Sequence, residues 1–93
     1  MAKMFANVGA AGGIATFGGD PNNLTVNHES AGTYRVTWNE LSVIPAAVAS
    51  PHNGVGPAFS ATPAYVTKSS MYIHTRDDSG AMVNQDFSFI MFF

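Results

Sequence analysis

Cysteine is absent from this sequence, which excludes disulfide staples, thiolate nucleophiles and cysteine-ligated zinc alike. Charge is scarce as well. Lys, Arg, Asp and Glu together make 11% of the 93 residues, against roughly 25% in an ordinary soluble domain. The four basic residues, Lys3, Arg35, Lys68 and Arg76, are scattered and cannot form a phosphate-neutralising stripe, so nucleic acid is not an expected partner. No apolar run reaches the ~18 residues of a membrane span, and no membrane insertion is expected. The first residues, Met1 to Asn7, carry one Lys but no continuous apolar region of the kind a secretion signal needs.

What is present is apolar: 46% of residues are hydrophobic and 12% aromatic. A chain of 93 residues fits one domain spanning 1–93, and it buries only about 60–65% of its unfolded surface when alone. With so few charges to cover it, the surface must be dressed in Ser, Thr, Asn and Gly, or partly buried in a partner. Both are expected, because obligate subunit interfaces resemble a core cut in half.

Helix signals are nearly missing, since Gly or Pro interrupts every stretch with a 3.6-residue apolar period. Period-two segments bounded by turn residues recur instead. Thr33–Asn39 puts Tyr34, Val36 and Trp38 on one face and Thr33, Arg35 and Thr37 on the other. Ser70–Thr75 opposes Met71 and Ile73 to Tyr72 and His74. Leu24–His28 is a shorter version, and Phe5–Val8 and Ile14–Phe17 read as strands around the Gly9–Gly13 turn. Gly18–Asn23 reads as a loop, Glu29–Gly32 as a turn, Pro51–Gly54 as a type I′ hairpin signal and Asp77–Gly80 as a short hairpin loop. Val43–Pro63 reads as one buried strand around Ala46–Ala49 followed by an irregular loop.

The last segment differs. Phe87, Phe89, Met91 and Phe93 share one face, while the other begins polar at Asp86 and Ser88 and turns apolar at Ile90 and Phe92. A strand apolar on both faces belongs in the middle of a sheet, covered on both sides. A second subunit would supply the second cover, so Phe87, Phe89, Ile90 and Phe92 are the expected subunit-interface residues. The fold class expected from the whole pattern is all-β, a small antiparallel β-sandwich or jelly-roll.

The order of these pieces resembles a C-terminal β-domain of phage tail fibres and tailspikes, found also at the ends of collagen-like bacterial surface proteins. The resemblance is carried by Phe5–Val8 with Gly13–Ile14, Ala31–Trp38, Ile44–Val48, Met71–Gly80 and Asp86–Ile90. Pro45–Val48 and the later Phe87-Ser88-Phe89 are also similar to the H-type lectin domain, a sandwich that trimerises and binds sugars. The resemblance implies a homotrimer at the tip of a virion fibre or extracellular surface appendage, devoted to assembly, host attachment or both. A host-surface glycan is the implied partner, with a capsid-decoration protein as a further alternative. The sequence departs from fibre chains in carrying no shaft, which leaves open an excised domain or a stand-alone virion component.

Catalytic chemistry has little to stand on. His28, His52 and His74 lack His-x-His or His-x-x-x-His spacing, so no metal site is expected and no cofactor is implied. Asp77-Asp78-Ser79-Gly80 lacks the spaced carboxylates of a calcium loop and reads as an Asx turn. With no Gly-x-Ser-x-Gly elbow and most of the acids in turns or at strand ends, an enzyme is not expected. Trp38, on the Tyr34 face, reads as core and not as a sugar platform. The ligand-contact candidates are Tyr72, His74 and Arg76, which form one polar-aromatic stripe, and the loop-tip pair His52 and Asn53.

Overall fold

The computed structural model describes residues 1–19, 23–51 and 60–93. It contains eight strands: β1 Lys3–Val8, β2 Ile14–Gly19, β3 Thr25–Ser30, β4 Thr33–Thr37, β5 Ala46–Pro51, β6 Ser60–Ala64, β7 Ser70–Arg76 and β8 Phe87–Phe92. They form two four-stranded antiparallel sheets, ordered β2-β1-β8-β5 and β3-β4-β7-β6. No helix occurs among the described residues.

The alternation seen in the sequence determines what is inside. The two central strands of each sheet send every second residue inward: Met4, Ala6 and Val8 from β1, and Phe87, Phe89 and Met91 from β8. Tyr34 and Val36 from β4, followed by Trp38, meet Met71, Ile73 and Thr75 from β7. The Tyr34 and Phe87 ring centroids are 4.8 Å apart, which joins the two sheets through one core. Three of the five methionines sit in it, where an unbranched side chain fills irregular gaps left between aromatic rings. Trp38 is buried, with its indole N–H donated to the Lys68 carbonyl at 2.8 Å, as a core tryptophan requires.

Strand β8 lies in the middle of its sheet, between β1 and β5. Its two-sided apolar character therefore has the expected position, but within the chain only the inner side is covered. Phe87 and Phe89 point into the chain's own core, so neither offers side-chain surface to a neighbour. Ile90 and Phe92 point the other way.

Three local readings are corrected. The Ala46–Ala49 strand exists as β5 but is not buried: it is an edge strand whose outward residues Ala46, Val48 and Ser50 are exposed. The segment after it is not wholly irregular, because Ser60–Ala64 pairs with β7 as β6. Pro63 hid that strand, and it is tolerated there because β6 lies at the sheet edge. Gly18 and Gly19 complete β2 instead of opening a loop. The Pro51–Gly54 hairpin signal extends beyond the described residues, and so do His52 and Asn53.

Tight spots explain two glycines. Gly32 turns β3 into β4 with a φ of 67°, and a Cβ there would sit 2.6 Å from the Thr75 carbonyl oxygen. Gly18 lies under the Phe5 ring, where a Cβ would come within 2.6 Å of the ring edge. A side chain there would require the Phe5 ring to shift.

Candidate functional site

Two outward faces remain, one per sheet. On the first, the register aligns Gly18, Phe5, Ile90 and Val48 in one row across all four strands. Beside it runs Lys3, Phe92 and Ala46. Phe92 is 38% exposed and Val48 60%, so this is apolar surface in contact with water. A groove of about 370 Å³ lies along the row, lined by Phe5, Asn7, Val48, Ser50, Ser88 and Ile90. Its far wall is polar and internally bonded. Ser88 donates to Asn7 Oδ1 at 2.5 Å, and the Asn7 amide donates to Thr16 Oγ1 at 2.6 Å. One face thus grades from a closed hydrogen-bonded row to hydrocarbon.

The outward face of the second sheet is different in chemistry. Tyr72, His74 and Arg76 follow one another at every second residue of β7, and the structure brings these three predicted residues together on one side. The Tyr72 and His74 rings stack with centroids 6.3 Å apart. The neighbouring strands add what the sequence did not reveal. Arg35 of β4 is the direct cross-strand partner of Tyr72, while Thr33 of β4 and Thr62 of β6 flank His74. Ser60 stands beside Arg76. None of the paired outward positions carries a carboxylate; Glu29 falls in the bulge that interrupts the β3–β4 ladder.

Tyr65, just past β6, completes the patch. It is 79% exposed, and its ring meets Tyr72 edge-on at 6.1 Å. Its φ of 52° places a bulky residue in the left-handed region, which costs on the order of 1–3 kcal/mol and which the surrounding structure must offset. In the sequence Arg35 alternates with core residues, and Tyr65 follows Pro63-Ala64 with no period-two pattern to place it. Without the β6 strand and the register, neither could be assigned to Tyr72.

Electrostatics follow the placement. Partial burial pushes the His74 imidazole below its ordinary range, and the Arg76 charge lowers it further, so the ring is neutral at pH 7. A neutral imidazole offers one donor and one acceptor. At the end of β7, the Asp77 carboxylate is held below its ordinary range, first by the Ser79 hydroxyl and then by the Ala81 amide. Those contacts, at 2.7 and 3.0 Å, make the loop an Asx turn. Gly80 closes it with a φ of 86°.

The remaining histidine in the described region, His28, belongs to a different cluster. It stacks on Tyr34 at 4.8 Å and bonds Asn84 Oδ1 through Nε2 at 2.8 Å. No group of three or more His, Asp or Glu side chains that could hold a metal ion is gathered among the described residues. Compared with known families, characterised proteins and solved structures, the chain finds no match.

Proposed function

We propose that this chain is a non-enzymatic assembly and attachment module, a β-sandwich that forms a homotrimer and presents the Tyr72 face outward. The observation that carries the reading is the row Phe5, Ile90 and Val48 with Phe92 beside it, hydrocarbon lying in water on the outer side of the sheet that β8 centres. Covering such a row removes apolar area at about 25 cal/mol per Å², and the low charge of the rest of the chain leaves little else to keep it apart from its copies. The trimeric number and the setting, a tail fibre or comparable surface appendage, come from the resemblance of the strand order to fibre-tip domains. Ile90 and Phe92 are the interface residues, since Phe87 and Phe89 are committed to the core.

Light scattering at micromolar concentration is expected to give three times the 9.8 kDa chain mass. Ile90→Glu is expected to reduce that mass to one chain while leaving the fold intact. A wild-type monomer would refute the assembly reading.

A second reading, a carbohydrate-binding lectin, is favoured by one specific observation: two tyrosine rings at right angles on an exposed face lined with Thr, Asn and Ser. Sugars dock their C–H faces on such rings and their hydroxyls on such side chains.

A further inference from the structure

We propose that the outward face of β4, β6 and β7 binds an acidic saccharide, with Tyr65 and Tyr72 as the platform and Arg35 and Arg76 as the carboxylate or sulfate anchors. This rests on the lectin reading and adds the ligand's charge. Three features of the face point the same way.

The first is charge. The chain is net negative, at −2, yet two of its four basic residues stand on this face and the paired positions around them hold Thr, Ser, Asn, Ala, Tyr, His and Met and no carboxylate. A planar guanidinium matches a carboxylate or sulfate with two parallel hydrogen bonds. Four basic residues in the whole chain are too few for a polynucleotide backbone. The second is spacing. Tyr72 and Arg76 lie four residues apart on one strand, roughly 13 Å, with Arg35 beside Tyr72 at one end. That length fits two or three sugar rings carrying anions at both ends, and a single small anion would not use it. The third is the held geometry of Tyr65. An exposed ring kept in the left-handed region, edge-on to Tyr72, makes a preformed corner that a free surface side chain would not adopt.

His74, neutral and between Tyr72 and Arg76, is placed to exchange hydrogen bonds with a sugar hydroxyl, assisted by Thr33 and Thr62.

The test titrates the assembled protein with polygalacturonate and chondroitin sulfate as acidic saccharides, dextran as the neutral one, and poly-L-glutamate as an acidic peptide. Light scattering on the same samples reports the assembly state. Acidic saccharides are expected to bind at least tenfold more tightly than dextran or poly-L-glutamate. Arg35→Gln and Tyr65→Gly are each expected to weaken that binding five- to tenfold or more. Both variants should keep the wild-type thermal midpoint within a few degrees, because Arg35 is exposed and glycine accepts the φ at residue 65. Equal binding of dextran would overturn the acidic assignment while leaving a lectin. Equal binding of poly-L-glutamate would reduce the face to unspecific electrostatics and overturn it too. If no saccharide binds a protein of intact mass, both the inference and the lectin reading fall, and the assembly reading stands.

Discussion

His74 is the side chain on the candidate face whose charge changes nearest neutrality, and its surroundings fix the sign of the effect. It faces Tyr72 and Arg76 from its own strand, Thr33 from β4 and Thr62 from β6. Burial, then Arg76, hold its folded pKa below the unfolded value near 6.5. Below pH 6.5 the unfolded chain therefore takes up a proton that the folded chain refuses, and stability falls with pH until the folded ring also titrates. Above pH 6.5 both states are neutral and the residue contributes nothing. Denaturant midpoints measured between pH 7.5 and 5 are expected to decline, and His74→Gln should flatten that decline. An unchanged slope in the variant would show that another group carries it. Asp77 acts in the same direction at lower pH: its lowered pKa stabilises the turn above the ordinary aspartate range, and that contribution is lost in acid as the carboxylate protonates.

At the level of the elements, the segment leading from β7 into β8 is fastened to both sheets. Thr75 Oγ1 donates to the Val83 carbonyl at 2.5 Å, and Asn84 Oδ1 accepts from the Gly32 amide at 2.9 Å. The Asp86 carboxylate accepts from the Ala10 amide at 2.7 Å. In the middle, the Tyr34 hydroxyl donates to the Ala10 carbonyl at 2.6 Å and accepts from the Gln85 amide at 3.2 Å. Burial raises the pKa of that hydroxyl, which keeps it a donor across the physiological range. Removing it in Tyr34→Phe takes one bond from each of two backbone groups, the Ala10 carbonyl and the amide of buried Gln85, and is expected to cost about 1–3 kcal/mol. Hydrogen exchange at Gln85 should accelerate more than exchange in β1. Uniform acceleration would mean that the segment is not held by this bond.

Six of the eight strands could be read in the sequence; four of them, β1, β4, β7 and β8, have a clear inner set, such as Tyr34 and Val36 or Met71 and Ile73, that leaves little choice of face, whereas β2 and β3 bury no residue fully. β6 escaped because Ser60-Ala61-Thr62-Pro63-Ala64 offers one small buried residue and a proline. β5 was found but misjudged, since a run of alanines looks the same whether it lies inside or along an edge. The same limit governs the site. Tyr72, His74 and Arg76 lie two residues apart on one strand, so their common side is a local fact. Arg35 and Tyr65 join them only through pairing across strands, which depends on contacts far apart in the chain.

For the whole molecule, stability and assembly are expected to be one quantity. If copies share the Ile90 row, the thermal midpoint rises with protein concentration, by a few degrees per tenfold, because association favours the folded side of the equilibrium. Calorimetry across two decades of concentration checks this, and Ile90→Glu should remove the dependence at a lower midpoint. A concentration-independent wild-type midpoint would count against a shared core.

The two outer faces belong to opposite sides of a pair of stacked sheets, so their normals diverge. An assembly that closes over the hydrocarbon side therefore turns every copy of the tyrosine corner away from the axis of symmetry. In the proposed trimer, the three copies of that corner would release a shared ligand only when all let go together.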